Sequence, residues 1–587
     1  MAVLDFIAGD LNSFIWGWFG IALLLGTGIL MTVLTKCFQV SHFGHWMKKT
    51  LGSLFSKKVS GHVKDKGSIS QFQALCTALA ATIGVGNIAG VSAAIATGGP
   101  GAVFWMWVAA FFGMMTNYSE NVLGIYYRRK NPDGEWSGGA MYYLQDGLGR
   151  KKATKWLGKL LAILFAIFAL LASFGIGNMG QVNKIVANFV SAFPVPALSE
   201  AQIDVTVNQS TSLISTNLYN IIIGFGLMII AALIILGGIK RIATVAEKIV
   251  PFMVVLYVVG SLAIIGINYD AVGTAFGAIF KSAFNAEAAF GGAVGITLSK
   301  VMSQGFKRGI FSNEAGLGSS VMVHSNSNVK EPVQQGLWGI FEVFADTIIV
   351  CTMTALVVLT SGVIDLNTGV KVAGATDDTL VAKAFDSVFS FGGFNFGSMF
   401  IAIAVLLFAF TTVLGWSHYG AKAWEYLFGT KSSFIYKAVF VVVIIFGAVM
   451  TSSVAWDVSD TFNGLMMVPN LIGVLALSPL VVKITNNYLK RRKGERLTPM
   501  LSNFADIQSD MEAQLAMENG EAAVVAAEVI ENAETVAVEE AAEVAETVAV
   551  EEVTEVAETV AVEEVTEVAE TVAVEEAAEV AETVAES

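Results

Sequence analysis

Read as apolar and polar positions, the chain is a succession of long apolar runs separated by short polar stretches. Crossing about 30 Å of hydrocarbon takes roughly 20 helical residues. Runs of that length fall near residues 15 to 36, 71 to 96, 101 to 127, 157 to 188, 217 to 238, 249 to 268, 286 to 306, 335 to 361, 394 to 421, 434 to 455 and 463 to 482. The pattern predicts an all-α integral membrane protein with 11 transmembrane helices. The first run is too long for a signal-peptide core and lacks a cleavage pattern, so it reads as a retained span.

Orientation follows from the loops. If the first helix enters from outside, Lys48, Lys49, Lys57, Lys58, Arg128, Arg129, Lys130, Lys151 and Lys152 all fall in cytoplasmic loops. The external segment 190–216 then carries no Lys or Arg, as the positive-inside rule requires. The expectation is a multi-pass plasma-membrane protein, in a bacterial inner membrane, with its N-terminus outside and its C-terminus cytoplasmic. Asn208-Gln209-Ser210 forms a glycosylation sequon, a triplet too common to carry weight.

Composition sharpens this reading. Of 587 residues, 55% are hydrophobic and only 14% charged, against about 25% charged in soluble domains. The net charge of −14 misleads, because residues 501–587 hold 25 Asp and Glu and no Lys or Arg, leaving the rest at +11. The basic residues sit between spans, which excludes nucleic acid as an expected partner. Cys37, Cys76 and Cys351 lie in or beside apolar segments and suggest neither a disulfide framework nor a metal site. From Glu534 the tail repeats ETVAVEEAAEVA-like dodecamers. Twelve residues turn a helix by about 1200°, so apolar positions drift by about 120° per copy and line no common face. A solvated, largely disordered tail is expected. The predicted organisation is an extra N-terminal helix (1–37), a basic cytoplasmic loop (38–70), five helices (71–268), five more (269–482), a basic segment (483–500) and the acidic tail (501–587).

Within the second run, Ala81 to Gly101 reads ATIGVGNIAGVSAAIATGGPG. So many glycines weaken a helix that lipid would otherwise require to be continuous. Gly84-Val85-Gly86 and Gly90 match a dinucleotide loop poorly, since no strand precedes them. Gly86 and Gly90 also make a GxxxG packing pair. The third reading is a discontinuous helix whose unwound backbone offers N–H groups to an anion and carbonyls to a cation. GGAVGIT, Gly291 to Thr297, interrupts the first helix of the second set. Five helices per half make the halves inverted, and paired breaks in inverted halves mark a transporter's binding site.

GGPGAVFWMWVAAFFG, Gly98 to Gly113, closely resembles the signature of the sodium:alanine (alanine/glycine:cation) symporter family, and RGIFSNEAGLGS, Arg308 to Ser319, resembles a second block of it. The resemblance extends over about residues 15 to 490. It implies a leucine-transporter-like five-plus-five inverted repeat with one extra N-terminal helix, and cotransport of alanine or glycine with Na⁺ or sometimes H⁺. It also implies that Gly84, Val85, Gly86 and Asn87, with Thr82 beside them, receive the substrate. The carbonyls of Ala80 and Ile83 and the hydroxyls of Thr411 and Thr412, with Phe408, would form a sodium site. Two departures stand out: Gly90 replaces the arginine with which leucine-transporter relatives close their outer gate, and Ala140 replaces a proline in GGAMYY.

Further pocket candidates come from helical spacing. Trp416 lies one turn beyond Thr412 and would limit the substrate side chain to hydrogen or methyl. Phe174, Asn178 and Gln181 fall at spacings of four and three, giving one face with two amides that bind substrate or a neighbouring helix. Ile296 and Thr297 complete the set at the second break. Glu342 and Asp346, i,i+4 in an apolar run, either balance a cation or proton path or pair with Lys300 or Arg308. Glu314 reads as a gate or helix-terminus contact. The chain shows no nucleophile–base pair and no metal-ligand cluster, so an enzyme is not expected and no cofactor is implied beyond Na⁺ as coupling ion. The expected activity is Na⁺-coupled import of a small neutral amino acid. Alternatives are H⁺ coupling, exchange, or an ion channel with a glycine filter.

Overall fold

The computed structural model describes residues 5–54, 67–200, 202–208, 211–285, 297–366, 368–376, 379–450 and 453–518. Two units are distinguished, Met1–Gln508 and Ser509–Ser587. In the second, residues 509–518 are helical, and the dodecamer tail lies outside the described residues.

The first unit is helical, with short hairpins only in connections: Arg129–Lys130 with Trp136–Ser137, Gln202–Asn208 with Thr211–Asn217, and Ser390–Phe391 with Phe394–Asn395. Its helices include α1 (Trp18–Leu34), α2 (Gln71–Thr82), α3 (Val91–Gly98), α4 (Gly101–Tyr126), α5 (Lys155–Phe174), α6 (Gly180–Ala192) and α7 (Leu218–Ile235). There follow α8 (Gly238–Ile267), α9 (Leu298–Asn313), α10 (Pro332–Val343), α11 (Thr352–Thr360), α12 (Phe396–Phe428), α13 (Ser433–Val449) and α14 (Ser453–Arg492).

Among the described residues, eight helices are long and apolar enough to cross a membrane, or nine when α2 and the segment through α3 count as one bent span. Two of the runs read from the sequence fall outside that tally for physical reasons. The 26-residue α4 is long enough, but Asn117, Ser119, Glu120 and Asn121 crowd its second half, all of them buried. The run at 286–306 is represented by α9, which starts at Leu298 and carries Lys300, Lys307 and Arg308, while residues 286–296 lie outside the described set.

Buried polar groups are set within an apolar core, and further large apolar side chains face outward. Phe225, Leu233, Phe252, Val255 and Phe434 on α7, α8 and α13 are exposed, as lipid-facing positions are. Inside, α4 packs along α10 and α9, while α12 packs against α6, α5 and α2. The broken segment α2–α3 lies within this packing, fully buried from Ala74 to Thr82 and again from Gly86 to Gly90.

Candidate functional site

Helix α2 starts at a capping box, Ser70 and Gln73 exchanging backbone and side-chain bonds at 3.1 Å each. It ends at Thr82. Ile83 leaves helical geometry (φ −77°, ψ 87°), winding resumes through a wide π turn at Gly86–Gly90, and the axis bends by 52°. The break deprives Ala80 of its ordinary helical donor, because the Gly84 N–H bonds the Asn87 Oδ1 instead, at 2.9 Å. The Thr412 hydroxyl takes that place: its Oγ1 lies 3.0 Å from Ala80 O and 3.0 Å from Phe408 O. Thr411 Oγ1 donates to the same Phe408 carbonyl at 2.9 Å. A Cβ at Gly84 would stand 2.6 Å from Thr412 Oγ1, so this approach of α12 to the break requires glycine.

Other expected residues are placed more selectively. The Gln181 Oε1 accepts from the Val85 N–H at 3.4 Å. Asn178 instead donates to Phe440 O at 2.7 Å, and Phe174 packs its ring on Tyr436 and Phe440. The single face inferred from spacing is thus split. A π turn at Gly175–Met179 widens the winding between α5 and α6, which turns Gln181 to the break and the other two toward α13. Thr82 bonds its own helix, at Ala78 O (3.3 Å). Trp416 seats against Gly177 and donates Nε1–H to Glu314 Oε1 at 3.0 Å. Thr297 is the N-cap of α9, accepting from the Lys300 N–H, and is exposed; Ile296 lies outside the described residues.

Gly291 to Ile296 lie outside the described residues; among the described residues, the interruption that meets the first break is the end of α9. Glu314 takes a left-handed conformation (φ 55°) and stops the helix, and Ser319 Oγ bonds its carboxylate at 2.5 Å. Phe311 and Ser312 of that helix lie against Gly86, where a Cβ would come within 3.2 Å of the Phe311 ring. Neither buried acid pairs with Lys300 or Arg308. Asp346 accepts from Asn87 Nδ2 (2.6 Å), Ser312 Oγ (2.8 Å) and Thr347 Oγ1 (2.8 Å), in a third π turn, Phe344–Cys351. Glu342 meets His324 Nε2 (3.0 Å) and Asn117 Nδ2 (3.2 Å). Gln335 accepts from Ser327 and so donates its amide to His324 Nδ1, which leaves the imidazole proton on Nε2, facing Glu342.

Beside the break opens a cavity of about 330 Å³. Val85, Gly86 and Gln181 contribute to its wall together with Ile176 and Phe311, and Lys307, Arg308, Asp457 and Asp460 make part of it charged. The sodium:alanine symporter family profile matches residues 1–502. The chain belongs to the sodium:alanine symporter family.

The chain is similar to the sodium/alanine symporter AgcS of Methanococcus maripaludis, 42% identical over 494 residues, covering 84% of this chain and 99% of that relative. It is also similar to a probable sodium/glutamine symporter, GlnT, of Bacillus subtilis, at 35% identity covering 84% and 92%. Among solved structures, MhsT in complex with L-phenylalanine aligns with a TM-score of 0.46 at 13% identity, over 72% of this chain and 98% of that one. The symporter-family chain is therefore a multi-pass transporter rather than an enzyme.

In this family member, Ala80 O, Phe408 O and Thr412 Oγ1 give neutral oxygens from two helices, the donor set a small hard cation takes. Among the described residues no three His, Cys, Asp or Glu are placed to hold a metal. Spacing missed Ile176, Phe311, Ser312 and the charged wall. Of these, Arg308, Phe311 and Ser312 fall in the block RGIFSNEAGLGS, while nothing in the sequence pointed at Ile176, Lys307, Asp457 or Asp460.

Proposed function

We propose that the protein is a secondary active symporter that imports a small neutral amino acid, alanine or glycine, together with Na⁺. The observation that carries this reading is the convergence of Thr412 Oγ1 with the Ala80 and Phe408 carbonyls at 3.0 Å, next to an interrupted helix and a cavity. Na⁺ would take the Thr412 hydroxyl as an oxygen ligand, with the Ala80 and Phe408 carbonyls and then Ile83 and Thr411 around it. The amino acid would lie between Val85, Gly86, Gln181, Phe311 and Trp416. The Gly84 and Val85 N–H groups are held by Asn87 and Gln181, so the substrate carboxylate has to displace Gln181 or use Gly86. One charge entering down 100 mV contributes about 2.3 kcal/mol, roughly fiftyfold accumulation before the sodium gradient is counted.

The finer architecture belongs to the same proposal: 11 transmembrane helices in a five-plus-five inverted repeat, an outside N-terminus and a cytoplasmic C-terminus in a bacterial inner membrane. The eleven apolar runs and the placement of Lys and Arg between them support the helix count and orientation. A second reading, H⁺ coupling, is favoured by one observation: a fully buried carboxylate, Asp346, bonds Asn87 of the break. Labelled alanine uptake into proteoliposomes, with Na⁺ replaced by choline at constant pH, separates the two. Loss of uptake supports sodium coupling; undiminished uptake excludes it.

A further inference from the structure

Where α1 and α14 end, residues 443 positions apart meet: His45 Nε2 lies 3.2 Å from the Tyr488 hydroxyl. Helix α1 is followed by two left-handed residues, Lys36 (φ 58°) and Cys37 (φ 52°), and the chain continues through the short helices Phe38–Ser41 and Phe43–Lys49. One side of this segment is fixed in the core by Phe38 and Trp46, both fully buried, the Trp46 ring against Phe344. The other side is apolar and bare. Val40 is 57% exposed and Phe43 49%, and they follow on from Val33 and Leu34, exposed at the end of α1 as lipid-facing positions are. Positive charge gathers at the same corner. Lys49 closes the second short helix, Arg492 and Lys493 close α14, and all three are exposed. Burial lowers the His42 and His45 pKa values, and these cations are the next causes: Arg492 and Lys493 for His42, Arg492 and Lys49 for His45. Neighbouring cations do have counter-ions, Arg491 in Glu331 (2.6 Å) and Lys490 in Glu495 (3.6 Å). Among the described residues, no carboxylate lies within ion-pair distance of Lys49, Arg492 or Lys493.

Loop charge that orients a span can sit anywhere near the span's end. Here the fold brings charge from two distant parts of the chain to one place, where like charges repel and an anion relieves the repulsion. A free phosphate would answer the charge and leave Val40 and Phe43 in water. A neutral lipid would cover those side chains and leave the cations facing one another. We propose that this corner of the bundle is a docking site for an anionic phospholipid of the phosphatidylglycerol type, its phosphate on Lys49, Arg492 and Lys493 and its acyl chains along Val33, Leu34, Val40 and Phe43. The bound headgroup ties the end of α14 to the segment that follows α1. The site needs no assumption about the cargo or the coupling ion.

The test is binding of labelled phosphatidylglycerol to delipidated full-length protein in a neutral detergent, with phosphatidylcholine as the comparison. Phosphatidylglycerol should bind more tightly by about tenfold or more, and glycerol phosphate, which carries the charge without acyl chains, should displace it poorly. Each cation near a charged lipid surface is worth about fivefold in affinity, so the triple variant Lys49→Gln, Arg492→Gln, Lys493→Gln should lose roughly a hundredfold and with it the preference over phosphatidylcholine. Equal affinity for the two lipids overturns the site, as does an unchanged preference in the triple variant. Displacement by glycerol phosphate as effective as by the lipid makes this a free-phosphate site and also overturns the proposal. The rival occupant is the chain's own acidic tail. Zero-length carbodiimide cross-links from Lys49 or Lys493 to residues beyond 518, undiminished by added phosphatidylglycerol, assign the patch to the tail and overturn the lipid. Should the triple variant fail to fold, as its melt would show, Lys49→Gln alone decides, with a loss of about fivefold expected and no loss refuting the site.

Discussion

Removing the Thr412 hydroxyl tests the proposed sodium site directly. In Thr412→Ala the Ala80 carbonyl, already without its helical donor, loses the hydroxyl that reaches it at 3.0 Å, and a cation bound as proposed would lose one oxygen ligand. A hydrogen bond or ligand contact to a charged group is worth about 1.5–3 kcal/mol. The expected cost is therefore roughly a ten- to 150-fold rise in the Na⁺ concentration for half-maximal uptake. Thr412→Ser keeps the oxygen and should stay within a few fold of wild type, whereas Thr412→Val keeps the shape and should resemble Ala. The assay is initial-rate uptake of labelled alanine into proteoliposomes at matched protein content, with Na⁺ varied against choline. If Ala, Val and Ser give the same sodium dependence as wild type, Thr412 does not bind the ion and the proposed site is wrong.

Gly84→Ala drives a methyl to 2.6 Å from Thr412 Oγ1 and 3.3 Å from Gln181 Oε1, so uptake should be lost and the melting temperature should fall by an amount matching about 1–3 kcal/mol. Wild-type rates in that variant would show that the two helices do not meet there. Asp346→Asn leaves the Asn87, Ser312 and Thr347 donors to share one amide oxygen, and alanine uptake should drop by about tenfold or more; an undiminished rate in liposomes refutes the assignment. Outside the spans, burial pushes the His45 pKa down to about 4, with Arg492, Lys49 and His42 adding repulsion. The unfolded imidazole titrates near 6.5, so the unfolded chain takes up a proton that the folded one refuses. That contribution is present above 6.5 and is lost as pH falls toward 4; His45→Gln should flatten the decline in melting temperature over this window, and an identical slope would contradict it.

Much of this was legible in the residues, and the failures have physical causes. The break at Gly84 was visible because glycine density in an apolar run has few other uses. Thr412 and Trp416 share a face because α12 is continuous through both, so i,i+4 spacing held. Spacing failed for Phe174, Asn178 and Gln181 because the π turn between them carries an i→i+5 bond that no periodicity announces. Glycine content gave no sign of the interruption at Glu314, because it is made by a charged residue in left-handed geometry. The pairing of Glu342 with His324 rather than Lys300 or Arg308 needs a turn of chain that folds α10 back along α4, which local sequence does not encode.

The side chains of Asn87 and Gln181 act as stoppers on the peptide donors at Gly84 and Val85, and this bears on how quickly cargo leaves. An incoming carboxylate that takes these donors exchanges one acceptor for another, so its grip is a difference between two similar contacts rather than the whole strength of either. On the proposed binding mode, such exchange would shorten the dwell time of the cargo, because the Asn87 and Gln181 amides that now hold these donors would reclaim their places as the solute departs. A carrier that must unload on every turnover profits from this reversible grip.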